Sequence, residues 1–274
     1  MIDYEILKVI WWLFIGVLLV GFAVMDGHDM GVGSLLPFLG KDDNERRVMI
    51  NSVAPHWDGN QVWLITGGGA MFAAWPMMYA TAFSGFYWAM LVLLMALIFR
   101  PVAFDFRSKV ATTKWRTTWD WLLFLGSAIP PVICGVAFGN LLQGVPFHID
   151  ETMRPIYTGS FFGLLNPFGL LCGVLSLVMI VAHGGNYLTL RTEGALQARA
   201  GIDGYVAVAG LDPAGPANPL AKTVEIQAGA WFANFASVPV LWLVPALGVI
   251  GALGGAVMVR ANKPGFAFVL SAAS

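Results

Sequence analysis

Apolar residues along this chain come in long unbroken blocks, and most charges fall between the blocks. A helix that crosses a bilayer needs about 20 mainly apolar residues, because the hydrocarbon core is roughly 30 Å thick and a helix rises about 1.5 Å per residue. The first block covers residues 9–25, uncharged between Lys8 and Asp26, and its apolar character resumes after Asp29 as far as Leu39. Further blocks cover residues 62–79, 83–99, 121–142, 161–188 and 231–259, and residues 266–270 read as the start of another span that the chain end cuts off. Pro130-Pro131 are predicted to bend the block at 121–142. Strict alternation, the mark of a membrane β-barrel, is absent. The pattern predicts an all-α, polytopic transmembrane helix bundle.

Composition sharpens this. Of 274 residues, 58% are hydrophobic and 11% charged, against roughly 25% charged in an average soluble domain. Mean hydropathy is +0.72. Too few charges remain to wet the surface of a soluble enzyme, a nucleic-acid binder or a disordered chain. Cys134 and Cys172 sit inside apolar blocks, so neither a disulfide framework nor a thiolate metal site is expected. The opening MIDYEILKV lacks a basic segment and a small-residue cleavage site, so the first block reads as a retained span rather than a signal peptide.

The net charge of −1 hides an asymmetry. Let face A be where the first span starts and face B where it ends. Lys41, Arg46 and Arg47 fall on B, as do Arg100, Arg107, Lys109, Lys114 and Arg116, and then Arg191 and Arg199. Arg260 and Lys263 fall on A if the spans are counted as they stand, giving ten basic residues on B and five on A. One more span between about Ala200 and Gly201 would place them on B and make the division twelve to three. The chain is therefore expected to lack an internal helix near 200–201, as well as its C-terminal end. By the positive-inside rule B is the cytoplasmic face and the N-terminus lies outside.

Ionisable groups at membrane depth are functional candidates by default. Asp26 and Asp29, in Asp26-Gly27-His28-Asp29, are three apart and share a helix face, while Gly27 and Gly31 would admit a close neighbour. His56-Trp57-Asp58-Gly59-Asn60-Gln61-Val62-Trp63 is denser: Asp58 is the only acidic residue between Glu45 and Asp105 and shares a face with Gln61. It suits either an interfacial belt or a polar path for protons or a ligand. Arg100 and Asp105 end the third span, either as a local terminus or with Arg100 neutralising Asp58 or Asp29 from another helix. His28, His56 and His183 lie near face B and His148 in an outer loop, and no pair has the context of a haem site. There is no nucleotide-binding or HExxH motif. Gly67-Gly68-Gly69, Gly135 to Gly139 and Gly251 to Gly255 read as helix-packing positions.

The stretches IWWLFIGVLLVGFAVMDGHDMGVG, RRVMINSVAPHWDGNQVWLITGGGAMFAAWP and FSGFYWAMLVLLMALIFRPVAFDFRSK resemble subunit II of the cytochrome bd-type quinol oxidases, as do IPPVICGVAFGNLLQGVPF, LLNPFGLLCGV, IDGYV and NFASVPVLWLVPALGV. The resemblance implies two four-helix bundles plus a peripheral helix, here incomplete: residues 1–142 for the first bundle and 143–274 for the second, with an outer loop at 201–228. It implies a complex in the bacterial inner membrane that oxidises ubiquinol, reduces dioxygen to water and builds a proton motive force. Two b-type haems and one d-type haem would sit in the partner, subunit I, with no metal in this chain. Small accessory subunits, membrane lipid and a bound quinone are further expected partners, and nucleic acid is not. Carried over, Asp58 would relay protons, with Asp26, Asp29, Asp105 and Arg100 shaping the path. Trp57, Asn60, Gln61 and His56 would line it, and Trp63 would border an oxygen entrance. A proton-coupled transporter or channel and a purely structural partner remain as alternatives.

Overall fold

The computed structural model describes residues 3–209, 243–261 and 263–273. Ten helices and one hairpin follow one another: α1 (Tyr4–Leu39), α2 (Asp43–Val53), α3 (Trp57–Ala74), α4 (Pro76–Gly85), α5 (Tyr87–Phe106), α6 (Thr113–Gln143), β1 (Phe147–Ile149), β2 (Pro155–Tyr157), α7 (Pro167–Arg191), α8 (Gly194–Ala209), α9 (Leu243–Arg260) and α10 (Pro264–Ala273). Among the described residues α1, α5, α6 and α7 are long and apolar enough to span a membrane. The all-α membrane architecture read from the block pattern is the one observed.

Several boundaries differ from the pattern, each for a local reason. The block at 62–79 divides at Trp75, whose backbone (φ −137°, ψ 63°) leaves the helix. Pro76 follows. Its ring disfavours helical geometry in the preceding residue, yet is well placed at the first position of α4. Pro130 and Pro131, by contrast, lie buried inside a continuous α6 and do not end it. The block at 161–188 opens with a short 3-10 turn (Phe162–Leu164) and becomes α-helical only from Pro167, where Asn166 accepts a hydrogen bond from the Gly169 amide as N-cap. Residues 231–242 lie outside the described residues.

α8 runs unbroken through Ala200 and Gly201, the point at which an internal helix is expected to be missing from the chain. Gly201 is buried, and a Cβ on it would come within 2.9 Å of Val259. Residues 201–209 of the expected outer loop are thus helical, while 210–228 lie outside the described residues.

Glycines let the central helices touch. α1 meets α7 where Gly31 and Gly184 oppose, each leaving no room for a Cβ on the other. α6 meets α7 at Gly135 against Gly173 and Gly139 against Gly169, and Gly33 of α1 sits on Ser127 of α6. α7 therefore packs on helices of the first 142 residues as well as on its own neighbours. Among the described residues only Gly67 of the Gly67-Gly68-Gly69 run makes a contact, with Leu18 and Leu19, and a Cβ on Gly68 or Gly69 would meet nothing within 4 Å, contrary to the packing role expected of all three.

The face-B ends are tied by charge. Arg107 donates to Asp120 and to Asp43 (2.9 Å), Arg116 to Asp43 (2.7 Å), Arg46 to Asp120 (2.8 Å) and Arg199 to Glu45 (2.7 Å). The basic loops that charge counting grouped on one face are thus together in space.

Candidate functional site

The polar segment of α1 turns into the middle of the molecule, and residues 26–34 are all buried. Asp26 is fully buried against Arg100 of α5, which is equally buried and donates twice, Nη2 to Oδ1 at 2.6 Å and Nη1 to Oδ2 at 2.8 Å. Removing two charges from water is offset only by such paired geometry. Arg100 therefore pairs with neither Asp58 nor Asp29, the partners expected for it, and it is not an exposed residue of the face-B terminus.

One turn along, Asp29 accepts from Asn60 Nδ2 of α3 at 2.8 Å. The same amide nitrogen donates to His56 Nδ1 at 3.0 Å. His56 Nε2 donates to the Tyr187 hydroxyl of α7 (2.8 Å), which donates to the Ser52 carbonyl (2.8 Å). His28 Nδ1 donates to the Val24 carbonyl at 3.1 Å and His183 Nε2 to the same oxygen at 3.0 Å. The His28 ring lies 4.3 Å from that of Tyr187, and His183 stacks on Phe268 of α10 at 4.8 Å. Four elements thus meet on one buried carboxylate and its histidines.

The structure brings together Asp26, Asp29, Arg100, Asn60 and His56. It leaves the other expected residues apart. Asp58 is exposed at the start of α3, and among the described residues its carboxylate has no partner. Asp105 is exposed, and Gln61 is only half-buried although it was expected to share a face with Asp58. Trp57 stacks on Phe104 at 5.3 Å, and Trp63 lies over Gly21. His183 and Tyr187, four apart on one face of α7, are the members the sequence reading did not place in the path. The available signal was a histidine and a tyrosine flanking Gly184 inside an apolar block.

Haem does not fit this cluster. His28 Nδ1, both nitrogens of His183 and His56 Nε2 are engaged with Val24, Ser271 and Tyr187, and the two remaining nitrogens both face Asp29. His148 lies in the exposed strand β1.

The chain matches the family model described as cytochrome bd terminal oxidase subunit II over residues 7–274. It is 56% identical to the cytochrome bd-I ubiquinol oxidase subunit 2 of Escherichia coli K12 over 295 residues, 99% of this chain and 78% of that protein. A probable cytochrome oxidase subunit 2 of Haemophilus influenzae is 52% identical over the same shares. The cytochrome bd ubiquinol oxidase subunit 2 of Bacillus subtilis is 44% identical over 191 residues, 70% of this chain and 55% of that protein. The 295 matched positions exceed the 274 residues of the chain, so the first two relatives carry residues inside the match that this chain lacks. The excess is about 20 residues, the length of one span, which supports the expected shortfall in length even though α8 is unbroken.

Proposed function

The chain belongs to the family of subunit II of the cytochrome bd terminal oxidases, and on that footing we propose that it carries protons from the cytoplasmic face toward the oxygen-reducing site of its partner. It is the second subunit of a haem-containing, quinol-oxidising respiratory complex in the membrane. Its partner, subunit I, holds two b-type haems and one d-type haem, and haem supplies the site at which dioxygen is reduced. Two quinols give four electrons, and four protons join one dioxygen to make two waters. Those protons are drawn from face B, the cytoplasm, with the N-terminus outside.

The observation that carries this reading is the bonded chain from a half-buried imidazole to a buried carboxylate. His56 is about a third exposed, and its Nδ1 lies 3.5 Å from Asp29 Oδ1, close enough to pass a proton with a small movement. Asn60 fixes the other carboxylate oxygen. The neighbouring Asp26–Arg100 pair is already neutral as a unit, so Asp29 is the group left to take up and release charge.

Asp58 has a different place in the route. It heads an outward stripe of α3 that continues through Val62, Ile65, Gly69 and Phe72. A carboxylate at the head of an apolar, outward-facing stripe belongs against a protein partner rather than lipid. We assign that stripe to subunit I and Asp58 to the hand-over of protons across the interface. An apolar groove of about 400 Å³ between α5 and α6, lined by Phe86, Ala89, Val92, Phe124, Ile129 and Val132, is the berth for a quinone tail or for dioxygen.

The test is quinol-driven oxygen uptake by the purified complex carrying Asp58→Asn or Asp29→Asn. Uptake should fall on the order of 10²-fold in each, the contribution of one positioned proton-transfer group, with the haem spectrum retained. Full uptake across pH in both would leave only the structural role.

A further inference from the structure

We propose that His28, Asp29 and His56 form a binding site for a first-row transition dication such as zinc. Each side chain offers one ligand atom, and the three atoms lie within 4.8 Å of one another. The residues come from α1 and from the turn before α3, which explains why no ligand spacing in the sequence announces them.

Their protonation states follow from bonds already described. A carbonyl oxygen can only accept, so the His28 Nδ1 that faces Val24 carries the hydrogen, and in the neutral ring Nε2 is then a lone pair. His56 Nε2 carries its hydrogen toward Tyr187, so Nδ1 is likewise a lone pair. Asp29 Oδ2 is held by Asn60, which leaves Oδ1. Among the described residues His28 Nε2 and Asp29 Oδ1 are buried without a hydrogen-bond partner, in residues that are 4% and 1% exposed. They face each other at 3.2 Å, and His56 Nδ1 stands 3.5 Å from the same oxygen. Acceptors so placed repel unless something positive stands among them. A proton answers one of these two contacts, whereas a dication answers both.

The geometry and donor chemistry agree. Ligand atoms about 2.0–2.1 Å from a tetrahedral ion lie about 3.3 Å apart, close to the 3.2 and 3.5 Å separations at Asp29 Oδ1. Two imidazoles and a carboxylate suit zinc and its first-row neighbours, while calcium and magnesium require more oxygen. Each ligand is already oriented from behind, His28 by Val24, His56 by Tyr187 and Asp29 by Asn60, which is the outer shell that metal sites use. The ion displaces only the Asn60 hydrogen now on His56 Nδ1, and Asn60 keeps its bond to Asp29. The partly exposed His56 gives the way in. This site stands on lone pairs and distances; it shares Asp29 and His56 with the proposed proton route, so an ion bound there closes that route, and zinc content reads the site whether or not the route exists.

The whole oxidase complex, stripped with chelator, is incubated with zinc and desalted. Zinc per complex is then measured, and absorption at the zinc X-ray edge identifies the donors. We expect one zinc more than in complexes carrying Asp29→Asn or His56→Gln, with imidazole among its donors and with affinity in either variant lowered by on the order of 10–100-fold or more. Equal zinc in wild type and both variants, or a donor set without imidazole, overturns the proposal. If the wild-type complex takes up no zinc while an infrared carboxylic-acid band disappears in Asp29→Asn, the occupant is a proton and the proposal fails. Should the variants not assemble, zinc anomalous scattering from the unmodified complex decides: a peak among the three side chains supports the site, and none refutes it.

Discussion

At the scale of single residues, the buried ion pair and the buried carboxylate behave differently under substitution. Arg100 and Asp26 are wholly buried and satisfy each other, so removing either partner leaves a stranded charge. Arg100→Gln or Asp26→Asn alone should destabilise by about 3–5 kcal/mol, and the double variant by less than the sum of the two. Thermal unfolding of the three purified complexes checks this, and additive losses would mean that the pair is not coupled. The spacing of Asp26 and Asp29 was legible in the sequence, but the partner of Asp26 was not, because it lies on a helix that begins some sixty residues later. The same limit governed Asp58. Residues 58 and 60 point to nearly opposite sides of one helix and both are polar, so pattern alone does not say which side faces inward. Packing decides: Asn60, Trp63 and Gly67 meet α1, and this turns Asp58 outward.

At the scale of elements, close approach of α1 and α7 is what holds the buried carboxylate beside Tyr187 and His183. A Cβ on Gly31 would fall on the backbone of Ile180 and Gly184. Gly31→Ala should therefore cost about 1–3 kcal/mol or more through overpacking. Gly16→Ala, with nothing within 4 Å of the added atom, should be neutral or stabilising by up to about 1 kcal/mol through helix propensity. Melting temperatures of the two variants should separate in that order, and equal values would remove Gly31–Gly184 as the organising contact. The small-residue spacing of Gly27 and Gly31 was readable as a packing face. The division of the second apolar block at Trp75 was readable only through Pro76, because hydropathy counts residues and is blind to backbone geometry.

At the scale of the whole molecule, charge placed the loops correctly on one face but could not show that they bond to one another. Arg199 of α8 donates to Glu45 of α2, and this hydrogen bond holds the Glu45 carboxyl below the usual glutamate range. A carboxyl depressed in the fold contributes its stability in full above the ordinary glutamate range and loses it as pH falls through the folded value. Hydrogen exchange in α2 should therefore accelerate on acidification below that range, and Arg199→Gln should weaken the pH dependence, with the Lys41 amide still bonded to Glu45. Orientation is checked separately. A cysteine placed at Asn44 should react with an impermeant thiol reagent from the cytoplasmic side, and one at Glu151 from the opposite side.

On the proposed route, protons reach the partner subunit through the buried Asp29 and its histidines. Proton uptake after an oxygen pulse to the fully reduced complex, followed with a pH indicator on the cytoplasmic side, tests it most directly. With matched haem spectra, Asp29→Asn should slow that uptake on the order of 10²-fold. Uptake at the wild-type rate in Asp29→Asn would contradict the account.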